Sequence, residues 1–256
     1  MKGRVIALDR IEDREAAALI VDEELQDLVL DPAGDAPLPG AIYRGIVDRP
    51  VKGQGGVFVR MPDGQSGFLR QVSGLAPGQA VLVQVSGTAE PGKAIPVTTR
   101  LLFKSRFAII TPGAPGLNIS RRIRDEDLRA DLDSLAQTGM EGAPKDLGLI
   151  LRSACEAADE AEIAEDILAM RDLAVAVLQD VDGKPELLVD GASAHEQAWR
   201  DWTDPTPDDL DDAAGSFGNH GVLERLDTLL APGVALPGGG QMFIEPTRAL
   251  VAVDVN

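Results

Sequence analysis

Short apolar runs, many of them alternating with polar residues, dominate the first hundred positions. VIAL at 5–8 and DLVLD at 27–31 read as strands. Between them IEDREAAALIVDEEL, 11–25, mixes periods and fits a hairpin or a short helix, so 1–36 reads as strand, helix, strand. DPAGDAPLPG, 31–40, is a Pro/Gly-rich linker and marks a domain boundary. From 40 to 100 five runs follow: AIYRGIVDRP, GGVFVRM, SGFLRQV, QAVLVQVSG and AIPVTTRLL. Turn signals at 53–56, 62–65, 76–78 and 90–92 separate them. Five short strands at this spacing predict a small closed barrel.

Beyond the barrel the pattern is mixed. RFAIITP predicts a strand, and ISRRIRDEDLRADLDSLAQ turns helical with Leu128, Leu132 and Leu135 on one face. DLGLILRSA predicts a buried strand with a polar end. EAADEAEIAEDILAMRDLAVAVLQDV predicts a long amphipathic helix. Residues 187–221 hold Trp199 and Trp202 and then an acidic tract, TPDDLDDAAGSFGNHG, with the character of a linker poor in core-forming residues. GVLERLDTLL predicts a helix, and 231–256 two strands around a tight turn at PGGG, 237–240. The final run, Ala249 to Val253, predicts a buried strand that ends on Asp254 and Asn256. The class is α/β, in the multidomain α+β sense.

Composition narrows the function classes. With 256 residues, 44% apolar, the chain can build two or three small cores, and aromatics at 4% leave those cores to aliphatic residues. One cysteine, Cys155, excludes an internal disulfide and a multi-cysteine zinc site within this chain. No stretch approaches eighteen consecutive apolar residues and MKGRVIALDR is not a signal peptide, so no membrane contact and a cytoplasmic location are expected. The net charge of −18 argues against nucleic acid only when taken whole. Residues 41–124 carry twelve Lys and Arg against Asp48, Asp63 and Glu90, a local charge of +9. Between Lys93 and Arg124 lie seven basic residues and no acid. A basic module in an acidic chain can hold a polyanion; uneven solvation of the surface gives the same count.

Candidate chemistry is sparse. PGGG lacks the Lys-Ser or Lys-Thr of a P-loop and reads as a hairpin turn. His195, His220 and Cys155 stand apart from any evident catalytic partner, and both histidines read as ordinary surface residues. Phe58 and Phe68, in adjacent predicted strands among basic residues, offer stacking faces for single-stranded RNA; both rings could equally fill the barrel core. Arg152 and Ser153 emerge where an apolar strand ends, and a guanidinium fork beside a hydroxyl suits a phosphate. A strand-end Arg paired with a helix carboxylate accounts for the spacing equally well.

AIYRGIVDRP, GGVFVRM with GFL, GLNISRRI, GLILRSA and ALVAVDVN occur in the order and rough spacing of the N-terminal catalytic region of the ribonuclease E/G family, which most of the chain therefore resembles. GLNISRRI and ALVAVDVN are the specific elements. The resemblance implies an OB-fold RNA-binding barrel at 38–100, inserted in a reduced ribonuclease H-like domain formed by 1–37 and by 187–221, the latter continuing as a linker. It implies a 5′-sensor domain at 101–186 and the start of a DNase I-like subdomain at 222–256. By the same resemblance Phe58, Phe68 and Lys93 contact single-stranded RNA. Ile109, Arg152 and Ser153 receive a 5′-monophosphate, with Ser in place of the family's Thr. Asp254 is the first of two catalytic aspartates holding Mg²⁺, assisted by Asn256.

The expected activity is Mg²⁺-dependent endonucleolytic cleavage of single-stranded RNA in RNA processing and decay. The family's second catalytic aspartate lies further along, so this 256-residue chain is expected to be a fragment, inactive alone. The resemblance leaves room for a homo-oligomer of the full-length protein. The alternative is a non-catalytic protein that binds single-stranded RNA through its barrel.

Overall fold

The computed structural model describes residues 3–51, 55–70, 74–90 and 92–256, so parts of the expected turns at 53–56 and 90–92 and of the run at 66–72 lie outside the described residues. In chain order, β1 (Arg4–Ile11), β2 (Arg14–Val21) and β3 (Glu24–Leu30) form an antiparallel meander. The barrel strands follow: β4 (Ile42–Val51), β5 (Gly56–Arg60), β6 (Ser66–Arg70), β7 (Ala80–Val85) and β8 (Ile95–Thr98). Then come β9 (Phe103–Lys104), β10 (Ala108–Pro112), β11 (Gly116–Ile119), α1 (Glu126–Gly139), β12 (Leu147–Leu151) and α2 (Glu160–Gln179). β13 (Glu186–Val189), α3 (Ala194–Trp202), β14 (Asp209–Asp211), α4 (Ser216–Asn219) and α5 (Val222–Leu230) lead to a last sheet of β15 (Gly233–Ala235), β16 (Gln241–Pro246) and β17 (Val251–Val255).

Of the hairpin and the helix that 11–25 left open, the structure forms the hairpin, and the strand, helix, strand order does not hold. REAAALIV forms β2, buried on both faces, which is why its apolar residues do not alternate. One face packs Ala17 and Leu19 with Ala198 and Trp202 of α3, and the other packs Ala16, Ala18 and Ile20 with Phe217 and Val222. Small alanines let a helix approach each side. The turn into β3 runs through Asp22 and Glu23, both at positive φ (51° and 70°), without the Asn or Gly that would announce it in sequence. The tract 187–221 is likewise not a bare linker. β14 adds to β1 in parallel, and Ser216 and Phe217 are fully buried.

The barrel closes as expected. Strand order is β4-β5-β6-β8-β7, with β7 returning to β4 and β6 running parallel to β8, the five-stranded pattern of an OB-like barrel. Its interior is mostly aliphatic, with Val47, Val57, Val59, Leu69, Val83 and Val97 joined by Met61 and Tyr43. In the next unit the sheet β11-β12-β10-β9 lays Ile110, Leu149 and Leu151 against α1 and α2, through Leu132, Ile163 and Ile167. Asp125 caps α1, its carboxylate accepting from the N–H groups of Asp127 and Leu128. The expected helix starts later than ISRR: Ile119 ends β11, and the helix begins only at Glu126.

Arg44 ties the barrel to this unit. It is 5% exposed, although its strand β4 belongs to the barrel. Its guanidinium donates to Lys184 O at 2.7 Å, to Asp180 O at 3.0 Å and to the carboxylates of Asp180 and Glu186. The two carboxylates are more than half exposed, so the backbone carbonyls set most of its value. Arg44→Ala should lower stability by roughly 2–3 kcal/mol, two carbonyl acceptors losing their partner along with the packed stem. Asp180→Ala should cost less than about 1 kcal/mol. Urea unfolding of both variants measures this, and equal losses would contradict the assignment.

Candidate nucleic-acid interface

Phe58 and Phe68 are directly opposite each other in the β5–β6 ladder. Inward residues of that ladder, Val57, Val59 and Leu69, build the core, so both rings stand on the outer face. Their centroids are 5.3 Å apart, tilted by 54°, and Phe58 is 37% exposed while Phe68 is half-buried. The rings therefore do not fill the core. Gly56 makes room for this arrangement: a Cβ there would meet the Phe68 ring at 2.6 Å. Phe58 shares a cleft with Lys93, whose ammonium pairs with Glu90 at 2.5 Å. Phe68 shares one with Arg70 and Arg100. Sequence reasoning missed Arg70 and Arg100, although their place in the basic stretch was a signal.

Arg100 also lines a cavity of about 540 Å³ between the barrel and α3, together with Lys104, Arg200 and Asp201. Here the Arg152 fork finds its partners. Its Nη1 donates to Ser105 O (2.6 Å) and Arg200 O (3.2 Å), and its Nη2 to Asp201 Oδ1 (2.7 Å). Those bonds account for three of the five guanidinium N–H groups. Lys104 and Arg200 bond the other oxygen, Asp201 Oδ2, at 2.8 and 3.0 Å. The pairing of Arg152 with a helix carboxylate, one of the two readings of its spacing, is thus present, with a carboxylate of α3 49 positions away.

Ser153 follows Arg152 in the chain, and Ile109 lies in β10, which pairs with β12 and β9. Arg122 Nη1 donates to Ser153 Oγ at 3.4 Å and approaches Asp204 at 3.6 Å. Ile109 is opposite Ile150 in β12 and Lys104 in β9, so all three share the sheet face away from α1 and α2. Arg122, in the loop after GLNIS, was not singled out from sequence; an Arg-Arg pair between a strand and a helix cap was its only trace.

One carboxylate shared among three cations leaves local positive charge, and the acidities follow. Burial pushes Asp201 up, but hydrogen bonds from Arg200 and Lys104 and their charges outweigh it and hold the carboxyl at about 2. Lys104 also falls below the usual lysine range: burial disfavours its charge, and the neighbouring Arg200 and Arg152 work against the attraction of Asp201. An isolated pair would raise the lysine. Cys155 is buried, and desolvation pushes its thiol up to about 12, so it holds no thiolate for chemistry.

At the far end, Asp254 faces the same side as Asn256, whose Nδ2 donates to Asp254 Oδ2 at 3.0 Å. Their hard oxygens fit Mg²⁺ in kind, one carboxylate being within that ion's ordinary protein complement. Among the described residues no group of three His, Cys, Asp or Glu could hold a metal. Strand β17 is not buried: Val251, Val253 and Val255 are about three-fifths exposed. The last sheet has three strands rather than two, and no helix among the described residues covers them. PGGG does form the hairpin turn between β15 and β16, with Gly238 and Gly239 at φ 102° and 96°. The histidines are not free surface residues. His195 Nε2 lies 2.8 Å from Asp9 O and 3.1 Å from Ala16 O, and His220 Nε2 lies 3.1 Å from Asp211 Oδ2.

The Asp201 cluster predicts a pH signature. Its carboxyl is depressed from 3.8 to about 2, so its stabilisation is present above about pH 4 and is lost as pH falls through about 2. The stability difference between the parent and Asp201→Asn should shrink by about 2 kcal/mol across that window. Denaturant unfolding at stepped pH measures it, and a constant difference would refute the coupling.

The described residues include no helix long and apolar enough to cross a membrane. A model of the ribonuclease E/G family matches residues 103–212. The chain is 28% identical over 295 residues to a ribonuclease E of Nostoc sp., covering 96% of this chain and 42% of that one. It is 25% identical to a ribonuclease G of Haemophilus influenzae over 93% of this chain and 59% of the relative. With a ribonuclease G of Escherichia coli the figures are 24%, 91% and 58%. The chain spans about two- to three-fifths of the length of the curated relatives it matches. The family model falls on the stretch that builds the Arg152–Asp201 cluster, while the relatives align with nearly the whole chain, OB-like barrel included: over most of its length this chain is similar to ribonucleases E and G.

Proposed function

We propose that this chain is the RNA-binding part of an endoribonuclease that cleaves single-stranded RNA, with the barrel as its platform and the Arg152 region as a sensor of a 5′-monophosphate. The observation that carries the reading is the Phe58–Phe68 pair on the outer face of the barrel, flanked by Lys93, Arg70 and Arg100. Two adjacent rings beside cations take successive bases by stacking while the cations follow the phosphates. The names of the relatives, ribonuclease E and ribonuclease G, support cleavage as the outcome.

Phosphate sensing draws on Arg152, Ser153 and Arg122, with Ile109 beside them. Arg152 is oriented by Ser105 O, Arg200 O and Asp201, and two of its N–H groups remain for an incoming anion. Ser153 supplies a hydroxyl, and the exposed Arg122 a second guanidinium. A terminal phosphate carries more negative charge than the diesters behind it, so a site with surplus positive charge prefers it.

For the chemical step, Asp254 would hold Mg²⁺, and the Asn256 amide fixes the orientation of that carboxylate through their hydrogen bond. The ion, when bound, polarises the scissile phosphate and lowers the pKa of a bound water.

Two measurements test this reading. Phe58→Ala and Phe68→Ala should each weaken binding of a single-stranded RNA oligomer by roughly 1–3 kcal/mol in fluorescence anisotropy, with stability little changed because the rings lie outside the core. Unfolding of the barrel in place of a binding loss would return the rings to a structural role. In the second, a 5′-monophosphorylated oligomer should bind better than its 5′-hydroxyl counterpart, and Arg152→Ala should erase the difference. Ser153→Ala and Arg122→Ala, whose side chains support little else, should reduce it. A preference retained in all three variants would move the sensor elsewhere.

A further inference from the structure

Trp199 is unusual among the large apolar residues. It lies on α3 one turn before Trp202, which is buried against Ala17 and Leu19, yet Trp199 itself is 52% exposed. The Arg106 guanidinium lies over its ring at 5.4 Å from the centroid, and over Phe107 at 5.2 Å. Arg106 Nε is buried and has no hydrogen-bond partner among the described residues. An exposed indole beside a cation with an unused donor repeats the chemistry of the barrel face.

The two places are connected. Arg100 lines both the cleft beside Phe68 and the cavity that reaches Lys104 and Arg200. Lys104 and Arg200 in turn line a cleft of about 630 Å³ that holds Arg106 and Trp199. Acids face these cavities too: Asp190 and Asp201 in the first, Glu196 and Asp212 in the second. Cations outnumber them in each, with Arg100, Lys104 and Arg200 in the first and Lys104, Arg106 and Arg200 in the second. Cations with an aromatic ring at each end form a track for a single strand.

We propose that Trp199 and Arg106 form a second base-stacking site for the same single-stranded RNA that lies on the barrel, joined to it by Arg100, Lys104 and Arg200. The inference rests on the RNA-binding reading above and adds a site on α3. A base stacks on the indole, and the neighbouring phosphate is drawn to the half-buried Arg106 guanidinium beside it. Short oligomers occupy the barrel alone, and longer ones engage Trp199 as well.

Tryptophan fluorescence tests it directly, because the chain has two tryptophans and the other is buried. Single-stranded oligoadenylates of increasing length are titrated into the full 256-residue chain and into Trp199→Ala, Trp199→Phe and Arg106→Gln. The expected result is a quench that begins only above a threshold length and is absent in Trp199→Ala. For oligomers above that length, Trp199→Ala should bind about 5- to 150-fold more weakly, the ordinary worth of one stacked base. Trp199→Phe should keep most of the affinity, and Arg106→Gln should lose part of it. The barrel variant Phe58→Ala serves as reference. If it weakens binding while the parent shows no quench and Trp199→Ala binds every length as the parent does, the RNA reading stands and this site falls. If Trp199→Ala changes the oligomeric state in sedimentation without touching RNA affinity, the indole belongs to a protein interface and the proposal is wrong. If the parent binds no oligomer, both readings fall together.

Discussion

The arrangement depends on one carboxylate. Asp201 projects from α3, a helix that packs on the β1–β3 meander, and receives Lys104 from β9, Arg152 from the end of β12 and Arg200 from its own helix. Two units with separate cores, the meander with α3 and the sheet backed by α1 and α2, are thereby joined through charge at a half-buried point. Three cations so close would repel one another at a cost that burial increases. A single acid removes most of that cost and leaves positive charge unspent. The same contact that holds α3 in place therefore also leaves the junction with more cations than acids bonded to them.

Arg44 does for the barrel what Asp201 does for α3. It anchors β4 to the segment after α2 through carbonyls that would otherwise lack a partner, and β13 completes the contact by pairing with β4. With the barrel fixed on one side and α3 on the other, the cavity between them is a consequence of the packing. Its walls are strand ends and faces of α2 and α3, and Arg100, Lys104, Arg200 and Asp201 line it beside apolar residues such as Leu102, Met170 and Leu173. The barrel interior is filled by Val47, Val57, Val59, Leu69, Val83 and Val97 with Tyr43, while Phe58 and Phe68 lie outside, Phe68 over Gly56.

Much of the fold was legible because its signals are local. The five barrel strands alternate and are separated by turn residues. Helix α1 presents Leu128, Leu132 and Leu135 at helical spacing behind an Asp cap, and Gly238 and Gly239 mark a turn that other residues would strain. The misreadings share one cause. In β2 three consecutive alanines face two different layers, so the alternation that identifies a strand is absent. In 206–221 a single Phe217 forms a core contact against a strand some two hundred residues earlier, and its acidic neighbours hide it. In β17 the branched apolar residues that suggest burial are uncovered among the described residues.

The sequence by itself determined the barrel, the main helices, the basic block within an acidic chain, and the residue types able to meet RNA: Phe58, Phe68, Lys93, Arg152 and Ser153. All of these rest on periodicity, turn chemistry or motif, which act over a few residues. Only the tertiary structure decided which way the two rings face, that Arg152 shares Asp201 with Lys104 and Arg200, that Arg122 reaches Ser153, and that Arg106 lies against an exposed Trp199. Each of those depends on side chains separated by ten to a hundred positions meeting in space, and no local pattern encodes such a meeting. Charge adds a further reason: whether a cation is spent on a structural partner or left for a ligand depends on how many acids surround it, and that count exists only once the chain has folded.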